Sequence, residues 1–230
     1  MNPKPVLNVK SLKEQVYDFL REQMRRGEIL PGSVIDMEET SKKLGVSRTP
    51  LRDALLQLES EDFVAILPRR KVIVNVLTVQ DIKNYYEIIG ALESIAIIKS
   101  FERLGKKDID FMEQMNQEMK QAIEANDFDL YYEKNLSFHS VYLDLCQNEK
   151  LIRLVNTLKK RLYDFPRRQG FVKEWEESSI EEHARLIKFL RQGDKEGAAR
   201  FIRDIHWSYE VQEPYIVKYY QQVDAIKAGS

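Results

Sequence analysis

The stretch Leu44-Gly45-Val46-Ser47-Arg48-Thr49-Pro50-Leu51-Arg52-Asp53-Ala54-Leu55 decides how the first part of this chain folds. Gly45 tolerates positive φ and suits a sharp turn between two helices. Ser47 or Thr49 can accept from the free amides that open the second helix, and Pro50 falls in the first turn, where a missing N–H is harmless. Within that helix Arg48 and Arg52 are four residues apart and share one face, while Leu51, Leu55 and Leu58 face the other way. Upstream, Ser11 and Glu14 form a capping box ahead of the helical spacing Leu12, Val16, Phe19, Leu20, Met24, which Gly27 and Pro31-Gly32 end. Met37 to Leu44 reads as a short helix. Downstream, Val64-Ala65-Ile66-Leu67 and Val72-Ile73-Val74-Asn75-Val76 are β-branched runs joined by Pro68-Arg69-Arg70-Lys71, a hairpin. Three short helices and a hairpin make residues 1–77 a winged helix-turn-helix.

From Thr78 the pattern is helical throughout. Thr78 and Asp81 open a helix with the apolar stripe Tyr85, Ile88, Ile89, Leu92, Ile95 and Ala96, closed by Gly105. Further helices are predicted over about 107–125, 127–146, 149–168, 179–191 and 194–218, with Ser178 and Glu181 capping the fourth of these five. Residues 78–230 therefore read as an all-α bundle of six or seven helices, and the chain as mainly α.

The 230 residues are 43% hydrophobic and 32% charged with a net charge of −1, an ordinary globular composition that excludes disorder and a uniformly basic coat for nucleic acid. A local basic patch is compatible with it. Arg48, Thr49 and Arg52 present one, and Arg69, Arg70 and Lys71 at the hairpin tip present a second, so double-stranded DNA is the expected partner. Lys42 and Lys43 stand nearby as phosphate contacts or solvated charges. The competing reading pairs the arginines with Asp53, Glu59 or Glu61 on a solvated surface. The single Cys146 cannot make an intramolecular disulfide and reads as a buried thiol, which fits a reducing compartment. No apolar run approaches the roughly 18 residues of a membrane span, and the N-terminus lacks a secretory core, so a cytoplasmic location is expected.

All three histidines, His139, His183 and His206, fall in the helical region. Asn135 lies four residues before His139, hence on the same side of one helix. His183 and His206 fall on two helices joined near Gly193-Asp194, whose inner faces can approach His139. Spacing alone favours hydrogen-bonded core or surface imidazoles, because no H-x-x-x-H or H-E-x-x-H pair is present.

The segment Leu44 to Leu55 resembles the winged-helix signature of the GntR family of bacterial transcription regulators. The resemblance implies that Arg48, Thr49 and Arg52 contact DNA and that a homodimer binds a palindromic operator. Glu38 stands where many members carry Arg, and Lys71 where the wing usually has Gly. The second region resembles the FCD ligand-binding domain of the FadR-like subgroup, through Phe138-His139, Asn148, Glu182-His183-Ala184-Arg185-Leu186-Ile187, Gly193-Asp194 and His206. That resemblance implies a divalent metal of the zinc, nickel or manganese class, held by Asn135, His139, His183 and His206, and a small-molecule effector of carboxylate type. Asn135 replaces the Asp of relatives and brings no charge, which weakens or retunes metal binding. Ile89 replaces an Arg that meets acidic ligands, and Arg161, Arg167, Arg168 and Tyr163 are candidate substitutes, an exposed basic helix end being the competing reading of the three arginines. The chain is expected to be a metabolite-responsive regulator, a repressor, and not an enzyme. The alternatives are a helical metalloenzyme using the three histidines, or a DNA-binding protein whose helical region only dimerises.

Overall fold

The computed structural model describes residues 10–68, 71–163 and 172–228. Arg69, Arg70, Arg167 and Arg168 lie outside the described residues. The chain divides into two compact units, one ending at Leu77 and the other beginning at Thr78.

The first unit contains α1 (Leu12–Arg25), β1 (Val34–Ile35), α2 (Met37–Leu44), α3 (Arg48–Ser60), β2 (Val64–Leu67) and β3 (Lys71–Val74). The Ser11/Glu14 capping box forms at α1. Asp36 caps α2, accepting from the amides of Glu38 and Glu39. Gly45 ends α2 at φ 64°, and Ser41 closes the turn by donating from Oγ to the Val46 carbonyl at 2.6 Å. Ser47 holds the N-cap position of α3, with no side-chain cap bond. The sheet has three strands in the order β1-β3-β2, all antiparallel, with Val34 opposite Ile73 and Val64 opposite Val74. The two-residue β1 was not foreseen, since it is too short to show a period. Val16, Leu20, Leu51, Leu55, Leu58, Phe63, Val72 and Val74 close the core of this unit.

The second unit contains α4 (Val79–Ser100), a 3-10 turn (Phe101–Arg103), α5 (Lys106–Glu124), α6 (Phe128–Leu145), α7 (Glu149–Tyr163), α8 (Lys173–Arg191), α9 (Lys195–Phe201), a π-helical turn (Ile202–His206) and α10 (Tyr209–Ala228). Cys146 is buried. Three expectations need correction. α8 begins six residues earlier than predicted, so Ser178 and Glu181 sit inside the helix rather than capping it. The early turns are held by Trp175, which stacks on Tyr215 and donates to Gln212 Oε1 at 2.8 Å, and by Glu176, which accepts from Tyr132. The predicted helix 194–218 is three segments: the Trp207 amide bonds back to the Ile202 carbonyl, five residues earlier, and α10 restarts at Tyr209. Finally, the apolar stripe of α4 is rotated. Ile88 and Ile95 face outward, while Glu93, Ser94 and Ser100 are buried beside Ile89 and Ala96. Among the described residues no helix is long and apolar enough to cross a membrane.

Candidate nucleic-acid interface and metal centre

On α3 the apolar and basic faces separate, with Leu56 the one large apolar side chain left exposed. Leu51, Ala54, Leu55 and Leu58 have no accessible surface, whereas Arg48, Thr49, Arg52 and Asp53 are exposed, as are Lys42, Lys43 and Lys71. Two of the three acids that could have paired the arginines are otherwise engaged: Glu59 accepts from the Ile66 amide, and Glu61 takes the Tyr17 hydroxyl and the Gln57 amide, while Asp53 stays exposed on the same helix. Arg48 instead reaches across to α2, with Nη2 3.1 Å from Glu38 Oε2 in an exposed pair. Glu38, noted only as a departure from pattern, thus stands beside a residue expected to meet DNA. Exposed pairs of this kind contribute roughly 0–1 kcal/mol, so a stronger anion displaces the carboxylate readily.

In the helical unit the three imidazoles come from α6, α8 and the π-helical turn, and one nitrogen of each lies within 4.8 Å of the others. Their centroids are 5.0–5.2 Å apart, and all three side chains are buried. The π-helical turn is what aims His206. One extra residue in the turn shifts the side chain around the helix axis, a use of such bulges common at functional sites. Gly90 of α4 lets that turn come close, since a Cβ there would lie 3.0 Å from Trp207 Cβ and 3.3 Å from the Arg203 carbonyl.

The Nδ1 side of each ring faces a protein acceptor. His139 Nδ1 meets Glu93 Oε2 at 3.0 Å, His183 Nδ1 meets Asn116 Oδ1 at 3.2 Å, and His206 Nδ1 meets Glu182 Oε2 at 2.7 Å. Asn116 is itself oriented, its amide nitrogen donating to the Ile180 carbonyl at 3.0 Å. These contacts fix the tautomer with the proton on Nδ1, which leaves Nε2 as a lone-pair donor. Burial, with Lys159 adding to it, holds His139 down to about 3, and burial puts His183 well below the usual imidazole value, so both rings are neutral. The Nε2 atoms of His139 and His183 are buried and have no hydrogen-bond partner, and so is Asn135 Oδ1. The Asn135 amide nitrogen points the other way, to Tyr163 Oη at 3.3 Å. Unpaired buried acceptors are costly. Three of them, with imidazoles converging from separate elements, form a donor set that suits a divalent cation.

Several residues that sequence reasoning passed over surround this set. Glu93 Oε2 accepts from Trp207 Nε1 at 2.9 Å and from Tyr142, and its Oε1 pairs with Lys159 Nζ. Although burial opposes the charge, Lys159 and His139 hold the Glu93 carboxyl well below the usual range, while burial pushes Lys159 down against the pull of Glu93. Glu182 Oε1 accepts from Gln212 Nε2 at 2.9 Å. A signal for two of them was present. Glu93 interrupts the apolar run Ile88 to Ile98, and Lys159 continues the buried spacing Leu151, Val155. Arg161 is 1% exposed, which overturns the reading of it as part of an exposed basic helix end.

Comparison with known proteins bears directly on this arrangement. The model of bacterial regulatory proteins of the gntR family matches residues 12–74, and the FCD domain model matches residues 84–206, the latter ending at His206. The chain belongs to the gntR family, with an FCD domain. This gntR protein is 25% identical over 190 residues to the uncharacterized HTH-type transcriptional regulator YdhC of Bacillus subtilis, covering 82% of this chain and 84% of the relative. It is 24% identical over 159 residues to the HTH-type transcriptional repressor RspR of Escherichia coli, covering 69% and 68%. Its fold matches that of McbR/YncC of E. coli with a TM-score of 0.70 at 24% identity, over 93% of this chain and 99% of the other. The chain is accordingly a DNA-binding transcription regulator rather than an enzyme, which removes the metalloenzyme alternative.

Proposed function

We propose that this gntR protein is a repressor that binds a palindromic DNA operator as a homodimer and responds to an anionic metabolite through a metal-dependent site in its FCD domain. The observation that carries the sensing half is the convergence of buried, unpartnered lone pairs: Nε2 of His139, Nε2 of His183 and Oδ1 of Asn135, with His206 completing the set. These four residues would hold the ion, and a bound divalent cation supplies Lewis acidity toward a carboxylate at its open positions. Arg48, Thr49 and Arg52 read or position DNA from α3, with Arg69, Arg70 and Lys71 of the wing on the backbone or an adjacent groove. The dimer reading is supported by α4, where Ile88, Ala91 and Ile95 stand outward at i, i+3 and i+7, a self-complementary apolar stripe that a second copy would cover. Repression is inferred by analogy with RspR of E. coli, a transcriptional repressor to which this chain is 24% identical over 159 residues. Effector binding would act by favouring one of two states that differ in operator affinity.

The test is elemental analysis and operator binding on the same preparation. Protein purified without added metal should carry a divalent ion near one per subunit or take one up on titration. DNA selected from a random pool should be an inverted repeat. No uptake of zinc, nickel or manganese by the wild type would remove the metal, and selected sites without two-fold symmetry would remove the dimeric repressor.

A further inference from the structure

The basic side chains around the turn between α2 and α3 are not used alike. Lys42, Lys43, Arg48 and Arg52 are all exposed, and among the described residues Arg48 alone of these four makes an ion pair. Its partner is not the local one. Glu38 has Lys42 four residues on along α2, the spacing that ordinarily pairs an acid and a base on a helix, yet its carboxylate lies on Arg48 of the next helix, 10 residues away. Both ends of the pair stand on fixed backbone. The Glu38 amide donates to Asp36 Oδ1 at 2.7 Å, and Arg48 opens α3 just after the turn that Gly45 and Ser41 close.

Two properties of the pair bear on DNA. Its net charge is zero, so Arg48 adds little to the attraction for phosphate that Arg52, Lys42 and Lys43 supply whatever the sequence. A phosphate that took Arg48 would leave the Glu38 carboxylate, whose side chain is 82% exposed, bare against a polyanion, and the exchange gains little. The second property is geometric. A guanidinium carries five N–H donors in a planar fork, and the contact from Nη2 to Glu38 Oε2 occupies one of them. The Arg48 side chain is 60% exposed, so the rest of the fork is accessible while the carboxylate holds its plane. The edge of a guanine takes such a fork in bidentate fashion at O6 and N7. An arginine already held in one orientation loses less entropy when it binds.

We infer that Glu38 is a positioning residue for sequence recognition: it turns Arg48 into a charge-neutral, pre-oriented reader of a base edge, so that Arg48 contributes to the preference among sequences and not to the general attraction for DNA. This rests on the reading of α3 as the DNA face and adds to it the part played by the acid across the turn.

The experiment measures binding of the full chain, over a range of salt concentrations, to two duplexes: the sequence that the wild type enriches most strongly from a random pool, and a shuffled duplex of the same composition. Glu38→Gln should tighten the shuffled duplex by about tenfold, and its plot of log affinity against log salt should steepen by about 0.9 per subunit as Arg48 becomes free for phosphate. The selected duplex should tighten by only about twofold, so the preference falls about fivefold. Glu39→Gln removes the same charge from the neighbouring residue, which makes no ion pair among the described residues, and should tighten both duplexes equally. Arg48→Lys keeps the charge but not the fork and should weaken the selected duplex alone, by about tenfold. In an Arg48→Ala background, Glu38→Gln should leave the preference unchanged. Equal tightening of both duplexes by Glu38→Gln overturns the inference and leaves Glu38 a plain surface anion. A fall in preference that persists without Arg48 overturns it as well, because Glu38 would then meet the bases itself. If Arg48→Ala alters binding to neither duplex, Arg48 is off the DNA face and this inference goes with it, whereas Arg52→Ala tests that face independently.

Discussion

At the scale of single residues, the two candidate sites make opposite demands on their side chains. The DNA face needs arginines that reach out from the surface, and Arg52 is exposed, while Arg48 is parked against Glu38. Replacing Arg52 by Ala should weaken operator binding by roughly 1–3 kcal/mol and relax specificity, whereas Arg70→Ala should mainly flatten the dependence of affinity on salt. Equal and sequence-independent losses in gel-shift titrations of both variants would contradict base reading by Arg52. Glu38→Gln should leave the melting temperature unchanged, because an exposed pair contributes about 1 kcal/mol at most, yet strengthen DNA binding by removing an anion from that face. Weaker binding would instead make Glu38 a contact in its own right. The exposed placement of Arg48 and Arg52 on α3 was legible in the sequence because they follow the turn four residues apart, opposite Leu51 and Leu55. The histidine cluster was legible only through the three histidines and Asn135 themselves. Glu93, Lys159 and Glu182 lie 46, 20 and 24 residues from the histidine or carboxylate each one serves, counting Lys159 from His139, and no local spacing connects them.

At the scale of elements, the sequence signals that succeeded were capping and turn chemistry in the first unit, and those that failed were boundaries in the second. Ser11 and Ser178 looked alike, each followed three residues later by an acid. Only Ser11 caps a helix, because the chain before Ser178 is pulled into α8 by Trp175 and Glu176. The difference is measurable: Ser11→Ala should cost about 1 kcal/mol in denaturant unfolding, while Ser178→Ala, inside a helix, should be neutral or slightly stabilising, within about 0.5 kcal/mol. The π-helical turn escaped notice for a related reason, since a widened turn is dictated by what packs on it. Gly90 is that partner. Gly90→Ala should destabilise the protein by roughly 1–3 kcal/mol and loosen metal binding, because the new methyl meets Trp207 Cβ and the Arg203 carbonyl on the turn that carries His206. A variant that melts lower yet binds metal unchanged would uncouple the turn from the site.

At the scale of the whole molecule, the chain combines a small DNA-binding unit with a hydrophobic core and a helical unit that, among the described residues, buries five charged side chains and three histidines. Such a site is unfavourable until filled, so ligand and stability are linked. Metal at about one hundred times its dissociation constant should stabilise the protein by about 2.7 kcal/mol, and chelation should lower the melting temperature correspondingly. A chelator without effect on melting would mean that the histidines are structural. The outward stripe on α4 belongs to this scale as well: Ile95→Glu should shift the sedimentation coefficient toward that of a monomer and abolish tight operator binding while leaving α3 intact.

The two indoles of the helical unit make the histidine cluster optically visible. The chain has two tryptophans, and both indole N–H groups are tied into the hydrogen bonds behind the histidines. Trp207 donates to the carboxylate that holds His139, and Trp175 donates to Gln212, which holds the carboxylate on His206. A change of charge between the imidazoles is felt by the Trp207 ring through two hydrogen bonds and by the Trp175 ring through three. Intrinsic fluorescence should therefore follow filling of the site without any label, with Trp207→Phe and Trp175→Phe reporting the His206 and His139 flanks separately.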